Sequence, residues 1–313
     1  MHRDALHPTN PRRYLAARIA VAGMGLLTAV SVCFAATRLG PASPLDELDI
    51  GPVNKQPIAQ QLGVDADPVT GYLTYVDRLL VLDPGKPFFL AEGPAEALLV
   101  EAAPNTAVVV AGALALVTVV AVPVGLVVGT RDGRVGAALE TLPLFGRTTP
   151  NFLVAALFVA VFGGETLSGR GSLLAVAAVI AAGTLVASRV RAVSRAVRKA
   201  RRDGHVDAAR AKGLSRRTVC LRHLAPVALL THLRRVADDA TYLVGAVVVI
   251  ETVLAPSDGG LGFLFLRAST LWDFPLAATL VVLFTAAVVA VRLLGDLALA
   301  LVDPRVGPRA DHN

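Results

Sequence analysis

Six runs of apolar residues, each about one bilayer long, decide most of what this 313-residue chain can become. A hydrocarbon core about 30 Å thick is crossed by about 20 helical residues rising about 1.5 Å each. Backbone amides find no water in that layer, so the crossing segments must be helices that satisfy their own hydrogen bonds. The runs fall at residues 15–37, 105–129, 138–162, 172–190, 228–252 and 275–302. The first is too long for the apolar part of a signal peptide and lacks an evident small-residue cleavage site, so it is read as a retained anchor. The third carries Arg147 and Pro150, and the proline is expected to kink or interrupt its helix. With 54% hydrophobic residues, the chain has more apolar surface than one soluble core buries. An all-α, integral membrane protein with six transmembrane helices is expected.

Charge beside the runs orients them, because cytoplasmic loops carry the excess of Lys and Arg. Arg3, Arg12, Arg13 and Arg18 flank the first run, whereas residues 38–101 hold four basic against ten acidic side chains. Residues 189–222 hold twelve Lys/Arg against Asp203 and Asp207. This places residues 1–14 in the cytoplasm, 15–37 as the first span, and 38–104 outside. A five-helix core follows at 105–302 with a cytoplasmic loop at 191–226, and 303–313 is a cytoplasmic tail, so both termini lie inside. Within the external segment, Tyr72, Tyr75, Val76 and Leu79 have helical spacing ahead of a Pro84-Gly85 turn, which predicts a short amphipathic helix.

The net charge of +6 would point to nucleic acid in a soluble protein. Here the basic residues sit beside apolar runs with no interleaved aromatics to stack bases, so no nucleic acid is expected and membrane lipid is the surrounding partner. Cys33 and Cys220 offer neither a disulfide framework nor metal-ligand spacing, and no metal site is expected. No G-x-x-x-x-G-K-[ST] loop, G-x-S-x-G elbow or H-E-x-x-H helix occurs. The chain is read as a non-enzyme with no catalytic residues.

The basic stretch between the fourth and fifth runs is the most specific. Residues 207–212 are good helix formers, Gly213 breaks the run as a C-terminal glycine would, and Ser215 is placed to cap a second short helix reaching His223. Two helices meeting at a bend are expected. Ala208 and Ala209 form a small flat face that lets another backbone come close, ringed by the charges of Arg210 and Lys212. On the second helix Val219 and Leu224 face the bilayer or a partner, while Arg216, Arg217 and Arg222 stay wet. Periodicity alone leaves a loop made basic only to fix topology as the alternative.

This stretch resembles the cytoplasmic loop of permease subunits of ATP-binding-cassette importers, in the branch that carries dipeptides, oligopeptides and nickel. That family's pattern is Glu-Ala-Ala, three residues, Gly, nine residues, then apolar-x-apolar-Pro. Asp207, Ala208, Ala209, Gly213 and Pro226 fall on its positions, with aspartate in place of glutamate and His223 and Ala225 in place of the apolar pair. Residues 12–21, 67–88, 245–251, 259–262, 273–275 and 303–305 are similar to further tags of the branch in the same order, although its Gly-Asp-x-Gly-x-Ser pattern is altered at residues 83–87.

The resemblance implies a permease forming half of a translocation pathway for peptides. Asp207, Ala208, Ala209, Arg210, Lys212, Gly213 and Leu214 would couple it to an ATPase. Its partners would be a second permease subunit in a heterodimer, two ATP-binding-cassette ATPase subunits and an extracytoplasmic substrate-binding protein. No cofactor is expected in this chain, since the partner subunits use the ATP. Nickel or another small solute is the rival cargo, and a membrane-anchored scaffold or sensor is the rival class.

The fifth run carries Arg234, Arg235, Asp238 and Asp239, costly charges for a span. Spacing of i,i+4 predicts the pairs Arg234–Asp238 and Arg235–Asp239. They are read either as lining the route of a charged solute or acting in gating, or as neutral salt bridges close to the cytoplasmic interface. Gly245 and Glu251 are further pathway candidates, Glu251 being equally readable as a surface carboxylate.

Overall fold

The computed structural model of the chain describes residues 11–39, 67–80, 95–131, 150–162, 170–254, 259–271 and 273–302. Every regular element among them is helical. In chain order they are α1 (Pro11–Leu39), α2 (Pro68–Leu80), α3 (Ala95–Thr130), α4 (Asn151–Phe162), α5 (Arg170–Ala200), α6 (Gly204–Ala211), α7 (Arg216–Val219), α8 (Ala225–Leu254), α9 (Leu261–Thr270) and α10 (Phe274–Val302). A π-helical turn, Cys220–Leu224, joins α7 to α8.

Four helical stretches among the described residues are long and apolar enough to cross a membrane: Ala16–Ala36, Ala95–Thr130, Leu174–Ala200 and Pro275–Gly295. Helix α8 has 30 residues, length enough to span, but its central charges set it apart from these four. Helix α4, at 12 residues, is shorter than a span, and residues 138–149 of the third apolar run, Arg147 included, lie outside the described residues. Pro150 does not kink this helix. It stands just before α4, where its carbonyl accepts from the amides of Leu153 and Val154 and its missing N–H costs nothing. The Pro84-Gly85 turn and the tags at 83–87 and 303–305 also lie outside the described residues.

The chain divides into two compact units, residues 1–104 with 259–313, and residues 105–258. In the first, α1 runs along α10, and α2 packs on α1 through Phe34, whose ring centroid lies 5.3 Å from that of Tyr72 and 5.7 Å from that of Tyr75. Ser31 and Tyr72 share a 2.9 Å hydroxyl hydrogen bond. Asp67 caps α2 by accepting from the amides of Val69 and Thr70, and the amphipathic helix forms where its periodicity predicts. Ala95, Leu99 and Ala102 at the start of α3 meet Leu261, Leu264 and Ala268 of α9 and Leu276 and Leu280 of α10. The tags at 259–262 and 273–275 are helix starts. Gly260 precedes α9, and buried Asp273 accepts from the amide of Leu276 at the start of α10.

The second unit holds the candidate site. Val109, Ala113, Val117 and Ala121 form one ridge of α3 against the alanine-rich face of α5 and against Leu243, Val247, Ile250 and Leu254 of α8. Helix α5 continues past residue 190, where the sequence predicts a loop, to Ala200. The reason is that Val190, Val193, Val197 and Ala200 keep one face apolar and buried while the arginines point elsewhere.

At the same end α3 and α5 touch through glycine. A Cβ on Gly129 would lie 2.7 Å from Cβ of Val197 and 2.8 Å from the carbonyl of Ser194. Close approach through small residues supplies packing that lipid cannot, since tails are as apolar as the helix. Gly129→Leu is expected to cost about 1–3 kcal/mol by overpacking. It should lower the thermal midpoint of the detergent-solubilised protein, whereas Gly183→Leu, where a Cβ meets nothing within 4 Å, should not.

Candidate functional site: a basic hairpin and a buried charge pair

After Ala200 the chain turns through residues 201–203 and enters α6, the carbonyl of Asp203 accepting from the amides of Val206 and Asp207. Helix α6 ends at Gly213, the described residue with positive φ, at 77°. The amide of Leu214 bonds the carbonyl of Ala209 at 3.3 Å and that of Gly213 the carbonyl of Arg210 at 2.9 Å. This nested pair closes a helix end through a left-handed residue, which glycine adopts without steric cost. Ser215 then caps α7, its hydroxyl accepting from the amide of Thr218 at 3.2 Å. Both punctuation residues act as the sequence predicts.

The second helix does not stop at His223. Through the π-helical turn it runs on into α8, so the hairpin is welded to the fifth apolar run. Pro226 explains the turn: a proline near the start of a helix lacks its amide and crowds the carbonyl four residues back, and a wider turn relieves both.

Packing reverses part of the expected docking face. Val206 and Ala209 of α6, with Val219, Leu224 and Ala228, bury against Val193, Val197 and Ala200 of α5. Ala209 is therefore an internal contact, and Val219 and Leu224 face α5 rather than bilayer or partner. Ala208 and Ala209 are successive on a helix and point about 100° apart, and here Ala209 is buried while Ala208 is exposed. The exposed face comprises Asp207, Ala208, Arg210, Ala211, Lys212, Gly213 and Leu214, continued by Arg216, Arg217 and Arg222. Arg210 pairs with Asp207 at 3.6 Å, both exposed, which fixes little on its own.

In α8, Asp239 turns away from the other charges. Asp239 is 1% exposed and takes two hydrogen bonds from the Nε and a terminal nitrogen of Arg189 on α5. The expected Arg235–Asp239 pair is thus replaced by a buried pair between helices, with Arg235 exposed. A carboxylate on the packed face is held by the cation that packing brings to it, since an unpartnered charge there is costly. Arg234 and Asp238 are also exposed.

On the same face His232 is buried, and its Nε2 lies 3.0 Å from the hydroxyl of Thr118 on α3. That hydroxyl already donates to the carbonyl of Leu114, so Nε2 carries the proton and donates. Tyr242 completes the polar belt, its hydroxyl within reach of Asn151 on α4 at 3.3 Å and Thr184 on α5 at 3.1 Å.

Glu251 is no surface carboxylate. It is 3% exposed and accepts from the hydroxyl of Thr106 at 2.9 Å. Gly245 is exposed, and a Cβ there would meet nothing within 4 Å. Sequence reading missed Arg189, His232, Thr118, Asn151 and Tyr242. Arg189 alone carried a signal, as a cation inside a stretch whose flanking valines and alanines continue the helix.

Residues 121–308 match the family model described as binding-protein-dependent transport system inner membrane component. The oligopeptide transport system permease protein OppB of Escherichia coli K12 is 25% identical over 291 residues, covering 90% of this chain and 94% of its own. The dipeptide transport system permease protein DppB of Lactococcus lactis is 23% identical over 303 residues, 94% of this chain and 99% of its own. A Brucella suis protein carrying a peptide-permease name is 24% identical over 317 residues, 94% of this chain and 98% of its own. With its hairpin, the buried pair and α8 all inside the matched region, the chain belongs to the binding-protein-dependent transport system inner membrane component family, and it is a multi-pass membrane protein.

Proposed function

We propose that this chain is a transmembrane permease subunit of an ATP-binding-cassette importer, forming half of a pathway for peptides. The observation that carries this reading is the end-to-end similarity to oligopeptide and dipeptide permeases, over at least 90% of this chain in each case. The hairpin of α6 and α7 supplies the coupling device. Its apolar side is locked onto α5 and α8, so a push on the exposed Ala208–Leu214 face moves two long helices together. Energy comes from two separate ATPase subunits, and solute arrives from an extracytoplasmic binding protein at the heterodimer formed with a second permease. The termini and hairpin lie in the cytoplasm, as the charge asymmetry of the loops requires. The buried Arg189–Asp239 pair joins α5 to α8 as they move, and Arg234, Arg235, Asp238, Gly245 and Glu251 are the remaining candidates for contact with solute or gate.

Reconstitution with the partner permease and ATPases tests this. ATP hydrolysis is expected to rise when peptide-loaded binding protein is added, and the empty binding protein should give less. Failure of the chain to co-purify with any ATPase pair, or hydrolysis indifferent to the loaded binding protein, would sink the reading.

A further inference from the structure

Helix α2 has three faces, and packing within the chain accounts for one of them. Tyr72 and Tyr75 turn to α1, where Phe34 meets both rings and Ser31 shares its hydrogen bond with the Tyr72 hydroxyl. Thr70, Thr74 and Asp77, spaced i, i+4 and i+7, form an exposed polar face. Val69, Leu73 and Val76 repeat that spacing one position earlier. Their stripe is apolar and largely uncovered, with Val69 68% and Leu73 61% exposed. We propose that α2 is a membrane-surface helix whose Val69–Leu73–Val76 stripe is sunk among the acyl chains of the leaflet at the C-terminal end of α1.

The contact with α1 sets the depth. The membrane-crossing stretch of α1 ends at Ala36, and Arg38 follows as its first charge. Ser31 and Phe34 lie five and two residues inside that end, about 7.5 Å and about 3 Å along the helix axis. A helix lying in the interface sinks its apolar side about 5–10 Å into the boundary between headgroups and chains. The hydrogen bond and the ring contacts therefore hold α2 at the level such a helix occupies, and tyrosine is a residue enriched there. Tyr72 and Tyr75 both rest on Phe34, so α2 crosses α1, whereas α10 runs along it. The apolar surface of the span is also open at this level, since Val32, next to Ser31, is 61% exposed. A second protein is the poorer occupant. A stable interface takes about 800 Å² from each partner, and a stripe three side chains long, bordered by α1 on one side and by Thr70, Thr74 and Asp77 on the other, does not supply it. The inference holds whatever the solute and whichever way the chain is oriented in the membrane.

The test places a fluorescent reporter on each exposed face of α2 in the full chain, reconstituted alone in phosphatidylcholine nanodiscs whose two surfaces both meet water. Trp272 is the only tryptophan, so Trp272→Phe provides a dark background for Leu73→Trp and, separately, Thr74→Trp. Phosphatidylcholine with brominated acyl chains quenches from within the bilayer, and iodide quenches from water. Leu73→Trp is expected to lose at least about half its emission to the brominated lipid and little to iodide, as burial of the apolar side requires. Thr74→Trp, about 100° around the same helix, should show the reverse. Val69→Trp repeats the lipid-side measurement one turn away, in case Leu73→Trp does not yield monodisperse protein. If Trp272→Phe itself fails to do so, the same comparison is made by subtracting the emission of the unsubstituted chain. Iodide quenching of Leu73→Trp equal to that of Thr74→Trp would place the stripe in water and overturn the proposal. Shielding of Leu73→Trp from both quenchers would also overturn it, because protein, from this chain or a second copy, would then cover the stripe.

Discussion

Gly213→Trp is expected to abolish solute uptake while the protein stays in the membrane at its normal level. Gly213 holds φ at 77°, so any L residue there carries left-handed strain of about 1–2 kcal/mol. A Cβ at Gly213 would meet no atom within 4 Å, so an indole projects into open space and displaces nothing of this chain. The interior of the hairpin, from Val206 and Ala209 to Leu224, is left intact. The damage therefore falls on whatever presses against the Ala208–Leu214 face. Gly213→Ala separates bulk from strain, because it imposes the φ penalty with one methyl group and should keep much of the uptake. Uptake is measured with labelled solute in cells whose membrane level of the chain is followed by immunoblot. Normal uptake in Gly213→Trp would remove the hairpin as a docking surface, and loss of the protein itself would show that the bend is a folding determinant.

Asp239→Ala should do the opposite, removing folded protein. It leaves the Arg189 cation buried between α5 and α8 without its bidentate partner, and breaking such a pair costs about 3–5 kcal/mol. The readout is the folded, monodisperse fraction after detergent extraction. Asp238→Ala, one residue away on the exposed side, should leave that fraction unchanged. Arg189→Met with Asp239→Leu replaces the pair by apolar side chains of similar size and is expected to restore the folded fraction. If uptake returns with it, the pair only holds the helices together. If folded protein returns without uptake, the charges take part in transport. A folded fraction in Asp239→Ala equal to the unsubstituted chain would contradict the buried-pair description.

The helix content and the punctuation of the hairpin were legible because both are local. Apolar length reports a span whatever surrounds it, a left-handed glycine reports the end of α6, and Ser215 with the amide of Thr218 reports the start of α7. The helical spacing of Tyr72, Tyr75, Val76 and Leu79 likewise announced α2. The partners were not legible. Spacing along α8 offers Arg235 to Asp239, but the cation that reaches Asp239 is fifty positions away on α5. Nothing in the order of residues says which of two alanines, Ala208 or Ala209, turns inward. The answer depends on where Val193, Val197 and Ala200 lie.

What the sequence alone determined is a chain of membrane helices with a basic, glycine-broken hairpin between two of them. Hydrophobic length, caps and breakers act within a few residues and need no other part of the molecule. Only the tertiary structure decided that the hairpin is locked to α5 and continuous with α8, that Glu251 is buried against Thr106, and that Arg189 neutralises Asp239. Those outcomes depend on which faces of separate helices meet, and in a low-dielectric interior a charge or polar group takes the partner that packing places beside it rather than the one nearest in the chain.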